Sequence, residues 1–173
     1  MAVMPKEVQE LFEQVPTVVF ATASLEGQPN AAAVGMKKVI DDSTLYVSDQ
    51  FFKKTLANVQ ANAKVSIAFW SDKAAYQLHG TARYVNEGDE FAAQKEWVDA
   101  KFASMGVPIT SKGGCFVTVD AVYVMQAGPQ AGERISKRCS GCKEPTCGQR
   151  GHRYVHSLHD VRCLLARCRA SSH

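Results

Sequence analysis

The chain has 173 residues with 20 Lys and Arg against 17 Asp and Glu, a formal net charge of +3, and is 46% hydrophobic and 21% charged. That balance suits a globular chain with one sizeable core. It excludes collagen-like, disordered and helix-spanning membrane classes, because no apolar run approaches the ~18 residues a spanning helix needs. The near-neutral total averages two unlike parts. Residues 1–133 hold 11 basic and 15 acidic residues, net −4, whereas residues 134–173 hold 9 and 2, net +7, with five of the six Cys and four of the five His. The first part reads as one domain and the second as a basic, Cys- and His-rich tail.

In chain order, the start (Met1-Ala2-Val3-Met4-Pro5-Lys6) has no extended apolar run after its Lys, so it does not read as a secretory signal. A cytoplasmic location with free thiols is the expectation that follows. Pro5 opens a helix in which Val8, Leu11, Phe12 and Val15 recur at three- and four-residue spacing, opposite Glu7, Glu10 and Glu13, until Pro16 stops it. Thr17 to Ala23 is β-branched and aromatic, a strand; Glu26-Gly27 turns the chain, and Asn30 to Ile40 reads as its hairpin partner. After Asp41-Asp42-Ser43 come a strand at Thr44 to Ser48 and a helix at Lys53 to Ala61. Lys64 to Trp70 and Ala75 to Val85 are the next strands. A helix then runs from about Gly88-Asp89 to Met105, and Gly114 to Met125 is a long last strand. Six strands joined by hairpin turns, with helices between some of them, predict an antiparallel barrel or α+β domain. Neither G-x-G-x-x-G after the first strand nor G-x-x-x-x-G-K-[ST] is present, so dinucleotide and P-loop signatures are excluded.

The candidate site is Ser48-Asp49-Gln50-Phe51-Phe52-Lys53-Lys54-Thr55, where a strand ends in a hydroxyl residue and a helix opens with two Lys and a Thr. Acidic residues are favoured in a first turn, whose free amides present positive charge; two Lys there suit a bound anion. A solvated lysine pair on a surface helix is the plain alternative. Upstream, Ala31-Ala32-Ala33 and Gly35 are small enough to let a flat ring approach the backbone, or only to pack sheets closely.

The order of the E-G-Q-P-N turn, the D-D-S turn, L-Y-V-S, K-K-T-L-A-N, K-V-S-I-A-F-W and Y-Q-L-H-G-T-A resembles the FMN-binding split barrels related to pyridoxamine 5′-phosphate oxidase. The resemblance runs from about Pro5 to Arg134; its most specific pieces are Lys54-Thr55-x-x-Asn58 and their spacing from Asp41-Asp42. It implies a mainly β (α+β), six-stranded antiparallel split β-barrel with flanking helices, and FMN as cofactor. It further implies that the strand around Val34, Gly35, Met36 and Lys37 lies along the flavin, and that Ser48, Lys53, Lys54 and Thr55 hold the phosphate. Gln77 is expected to reach the flavin from the partner subunit of a homodimer whose interface holds FMN. Lys37 and Lys38 near the ring would stabilise a reduced, anionic flavin. The sequence departs from the oxidase itself at Ala32, where the oxidase carries Arg, and has no Trp after Tyr123 to match a substrate-binding segment. Vitamin B6 oxidation is therefore not expected.

The tail contains Cys139-x-x-Cys142-x4-Cys147, then His152, His156, His159, Cys163 and Cys168, ligand types for zinc or iron–sulfur whose spacing matches no strong template. No metal site is assigned from it. A disordered basic tail or an out-of-frame extension would look the same. Tyr154 is its only aromatic residue, which argues against nucleic acid. The sequence thus predicts an FMN-dependent oxidoreductase of unnamed donor and acceptor, small molecule or protein. A non-catalytic FMN carrier, or a metal-binding or basic interaction protein working through its tail, stay open.

Overall fold

The computed structural model describes residues 2–138. Pro5 stands just before α1 (Lys6–Gln14), whose Val8 and Phe12 are fully buried while its glutamates face outward. β2 (Val18–Ala23) alternates buried and half-buried residues, with Val18 and Phe20 inward. The following turn depends on Gly27, whose φ of +84° lies in the left-handed region that glycine reaches without steric cost.

The single strand expected from Asn30 to Ile40 is in fact two, β3 (Pro29–Val34) and β4 (Lys37–Asp41), separated at Gly35-Met36. After β4 come β5 (Thr44–Asp49), α2 (Lys54–Ala61), β6 (Lys64–Trp70), β7 (Ala75–Val85), α3 (Asp89–Ser104) and β8 (Gly113–Val124). A two-residue β1 (Ala2–Val3) pairs with β9 (Lys137–Arg138), and Arg134 bridges to Tyr123, so residues 134–138 are joined to the domain by backbone pairing. The Cys and His residues of the tail lie outside the described residues.

The main sheet has seven antiparallel strands in the order β3-β2-β6-β7-β8-β5-β4. This corrects the expected six, because the second hairpin strand contributes to both ends of the sheet. β3 and β4 are the two edges, yet only three Cα steps separate Val34 from Lys37, a reach of about 11 Å at most. The sheet must therefore curl until its edges nearly meet. The result is the expected antiparallel split barrel, with its split at Gly35-Met36.

The barrel interior is filled by alternate residues of each strand, among them Phe20, Leu45, Val47, Ile67, Leu78 and Val117. α1 closes one side, with Phe12 edge-on to Phe69 at 5.4 Å between ring centroids. α2 packs on β2, β3 and β7, and α3 on β8, where Val98 joins Met36, Tyr46 and Phe116 in a second cluster. The other face of the sheet carries Ala21, Ser66, Ala68, Gln77, His79 and Tyr123, none of them fully buried. Among the described residues no helix is long and apolar enough to cross a membrane.

Candidate functional site

Curling the sheet places the end of β3 beside the β5–α2 connection. Between them is a cleft of about 170 Å³ lined by Ala32, Ala33, Val34 and Gly35 on one wall. Ser48, Gln50, Phe51, Phe52 and Thr55 form the other. Four of the nine residues predicted to bind a ligand, Val34, Gly35, Ser48 and Thr55, thus meet in one place. Lys53 and Lys54 stand exposed at the start of α2, next to the cleft in the chain but not in its lining.

Thr55 and Ser48 have opposite hydrogen-bonding states. Asn30 Nδ2 donates to Thr55 Oγ1 at 3.0 Å and to Thr22 Oγ1 at 3.2 Å, and Asn58 Nδ2 donates to Thr22 Oγ1 at 3.0 Å. These bonds tie α2 to β2 and β3. Among the described residues no acceptor takes the Thr55 hydroxyl hydrogen, so a buried donor remains at the cleft wall. At Ser48 the hydroxyl is already committed. Ser111 Oγ donates to Gly113 O at 3.0 Å, so the 3.0 Å contact between Ser48 and Ser111 is a donation from Ser48. Gln50 Nε2 donates back to Ser48 Oγ at 2.7 Å. Ser48 therefore orients Gln50, leaving the second amide hydrogen of Gln50 free of this bond.

The loop itself is held by Asp49, which is only 2% exposed. Its carboxylate accepts from Phe52 N at 2.7 Å and from Tyr84 Oη at 2.9 Å, and its carbonyl accepts from Lys112 N at 2.9 Å. Burial, with Asp49 alongside, pushes the Tyr84 phenol far above its usual value. The same two causes push the Cys115 thiol up to about 12. Among the described residues α2 starts without a side-chain cap and without an acidic residue in its first turn, so no side chain caps its leading amides or offsets their positive charge. Phe51, 69% exposed, stands at the rim, with Lys112 Nζ 5.7 Å from its ring centroid.

The remaining predicted residues lie elsewhere. Lys37 is buried, with Nζ 5.0 Å from the Phe12 ring centroid and 3.5 Å from Glu13 O; burial lowers its pKa, the Glu13 charge acting the other way. Lys38 Nζ sits 5.1 Å over Trp97. Both ammonium groups are thus turned onto aromatic rings of the protein. Met36 is buried in the second cluster and touches the site only through its carbonyl, which accepts from Ser48 N at 2.9 Å. Gln77 lines a separate groove on the outer face together with His79 and Tyr123. Among the described residues no group of His, Cys, Asp and Glu is placed to hold a metal.

Sequence reasoning included Gln50 and Phe52 in the candidate stretch without giving them a role, and it did not place Asn30 or Ser111 at the site. Asn30 and Asn58 do stand in the turn and helix motifs already noted, which is the signal that could have found them. Ser111 lies 63 residues from its partner Ser48, and nothing local announces it.

The pyridoxamine 5′-phosphate oxidase sequence family matches residues 4–123. An uncharacterized protein of Methanocaldococcus jannaschii is 36% identical over 123 residues, 69% of this chain and 80% of that one. Among solved structures, HupZ of Group A Streptococcus superposes with a TM-score of 0.62 at 26% identity, over 75% of this chain and 99% of its own. An FMN-binding protein from Syntrophomonas wolfei superposes with a TM-score of 0.59 at 16% identity, over 71% and 89%. The heme storage protein HutZ of Vibrio cholerae does so at 0.55 and 16%, over 70% and 94%. At that identity the last two speak to the fold alone.

Proposed function

The chain belongs to the pyridoxamine 5′-phosphate oxidase family, and from that premise we propose that it binds FMN and serves as an oxidoreductase between a reduced donor and an acceptor. One observation carries the reading: the split of the barrel opens onto an uncapped helix start with a Thr55 hydroxyl hydrogen that no described residue accepts and two exposed lysines. These are the donors a phosphate monoester needs, and no carboxylate opposes them in the first turn. Opposite, Ala32, Ala33 and Gly35 leave a wall without bulky side chains, as a flat ring requires. FMN, when bound, supplies the electron-transfer chemistry; the protein's part is to bind it, orient it and limit access to it.

The cleft's roughly 170 Å³ is smaller than the ~300–1,000 Å³ of complete ligand sites, so one protomer encloses one end of the ligand. We infer that a second copy completes the site. The outer sheet face supports this, with a shallow groove of about 560 Å³ over Ala21, Ser66, His79, Ala121 and Tyr123, and with Gln77 alongside. In this homodimer Gln77 would serve the neighbouring flavin.

The test is to titrate the apo-protein with FMN and with riboflavin, in the parent and in Thr55→Val. Yellow protein with a flavin spectrum is expected, and the variant should lose about tenfold in FMN affinity while riboflavin binding changes by less than about twofold. No FMN uptake, or a heme spectrum in the protein as isolated, would overturn the reading. Bleaching of bound flavin by NADH or NADPH at a steady turnover separates an enzyme from a carrier.

A further inference from the structure

Two consecutive glycines on β8, Gly113 and Gly114, are required by what lies against them rather than by their backbone, since neither has a positive φ. A Cβ on Gly113 would fall 2.2 Å from the Tyr84 hydroxyl, and one on Gly114 2.3 Å from the Tyr46 hydroxyl. The pair therefore makes room for two tyrosines reaching in from β7 and β5. Tyr46 finds a carbonyl there, Gly113 O at 3.4 Å. Tyr84 instead donates to Asp49, the last residue of β5.

Asp49 has two oxygens with two different tasks. Oδ1 accepts from Phe52 N, a local turn that reverses the chain toward α2. Oδ2 is held by Tyr84, 35 residues away on a central strand of the sheet. One carboxylate thus ties the loop 50–53 to the rigid barrel. Every residue from Gln50 to Phe52 lines the cleft, and the loop leads into Thr55 in the same lining, with Lys53 and Lys54 exposed beside it.

We propose that Tyr84, through Asp49, is a positioning residue for the phosphate-holding loop, setting the affinity for the phosphate end of the ligand without touching it. This rests on the FMN reading above. Asp49's backbone is already fixed in β5 by its pairing with Gly113 and by Lys112 N, but with Phe52 N as its one partner the carboxylate, and the loop amide bonded to it, could still swing about the side-chain torsions. Fixing the second oxygen to β7 removes that freedom, and pre-organised donors bind an anion more tightly than mobile ones. Neither Asp49 nor Tyr84 lines the cleft, so the effect is transmitted.

The experiment compares FMN with riboflavin, which lacks the phosphate, by fluorescence titration of the full-length apo-protein and of Tyr84→Phe. The parent is expected to prefer FMN. In Tyr84→Phe, FMN affinity should fall by about tenfold and riboflavin affinity by less than about twofold, so that the preference collapses. Asp49→Asn, which keeps an oxygen for Phe52 N–H and a polar partner for Tyr84, should retain most of the preference. Should Tyr84→Phe not fold, Asp49→Ser, which still serves the local turn but no longer reaches Tyr84, carries the same expectation. Equal losses for both flavins would mean general destabilisation and overturn the proposal, as would an unchanged preference for FMN. A parent that binds both flavins equally tightly would instead overturn the phosphate cleft itself, and the anchor with it.

Discussion

Lys37 shows how a side chain whose strand is read correctly can still turn its charged end away from the cleft. Its position on β4 beside Gly35-Met36 suggested a cation at the flavin, yet its ammonium is folded back under α1 against Phe12 and the Glu13 carbonyl. Burial holds its pKa below the ordinary lysine value, with Glu13 opposing. The unfolded chain therefore binds more protons than the folded one in the interval between the two values, and stability attributable to this group rises with pH there. Below that interval the cost of burying the charge is fully present. Comparing the parent with Lys37→Met by thermal unfolding of apo-protein, the parent should gain on the variant as pH rises toward the ordinary lysine range. A pH-independent difference would show that the ammonium is not desolvated in the fold.

Among the elements, the β6–β7–β8 sheet is where packing is least forgiving. Gly80 sits at the irregularity in the β7–β8 register after His79. A Cβ there would come 2.6 Å from Thr118 O and 2.7 Å from Val117 Cγ1. The first of these is backbone in a paired strand and cannot turn aside. Gly80→Ala should therefore cost about 2 kcal/mol or more, read as a lower urea midpoint at unchanged slope. Had the neighbour been the far end of a flexible side chain, the substitution would have been mild. The helices were easier to read than this: α2 and α3 begin and end within a residue or two of where their spacing places them. The β3–β4 break was not legible, because every residue from Asn30 to Ile40 is compatible with extended backbone and nothing local marks Gly35-Met36 as a crossing from one sheet edge to the other.

For the whole molecule, the open face of β2, β6, β7 and β8 is the place to test assembly. Ser66 is half-buried there and lines the larger groove with Ala21 and Ala121. Small side chains on an exposed sheet permit close approach by a second copy, and a long cation among them forbids it. On the proposed dimer, Ser66→Arg should halve the mass measured by light scattering and, by withdrawing the partner's Gln77 from the proposed flavin site, weaken FMN binding by about tenfold. A dimer that persists in this variant would place the interface elsewhere.

The sequence by itself determined the helices and all of the main strands but the β3–β4 break, the family and the general location of the cleft, because these depend on hydrophobic period, turn residues and the short stretch Ser48 to Thr55. Which donors remain available was decided only by tertiary structure. Ser48 and Thr55 look equivalent in the chain, but Ser48 is committed to Ser111 while Thr55 accepts from Asn30 and keeps its hydrogen. Hydrogen-bond capacity is finite, and the partners that use it come from β3 and from the segment before β8. Their approach requires the barrel to curl, a consequence of pairing between distant strands that no local pattern contains.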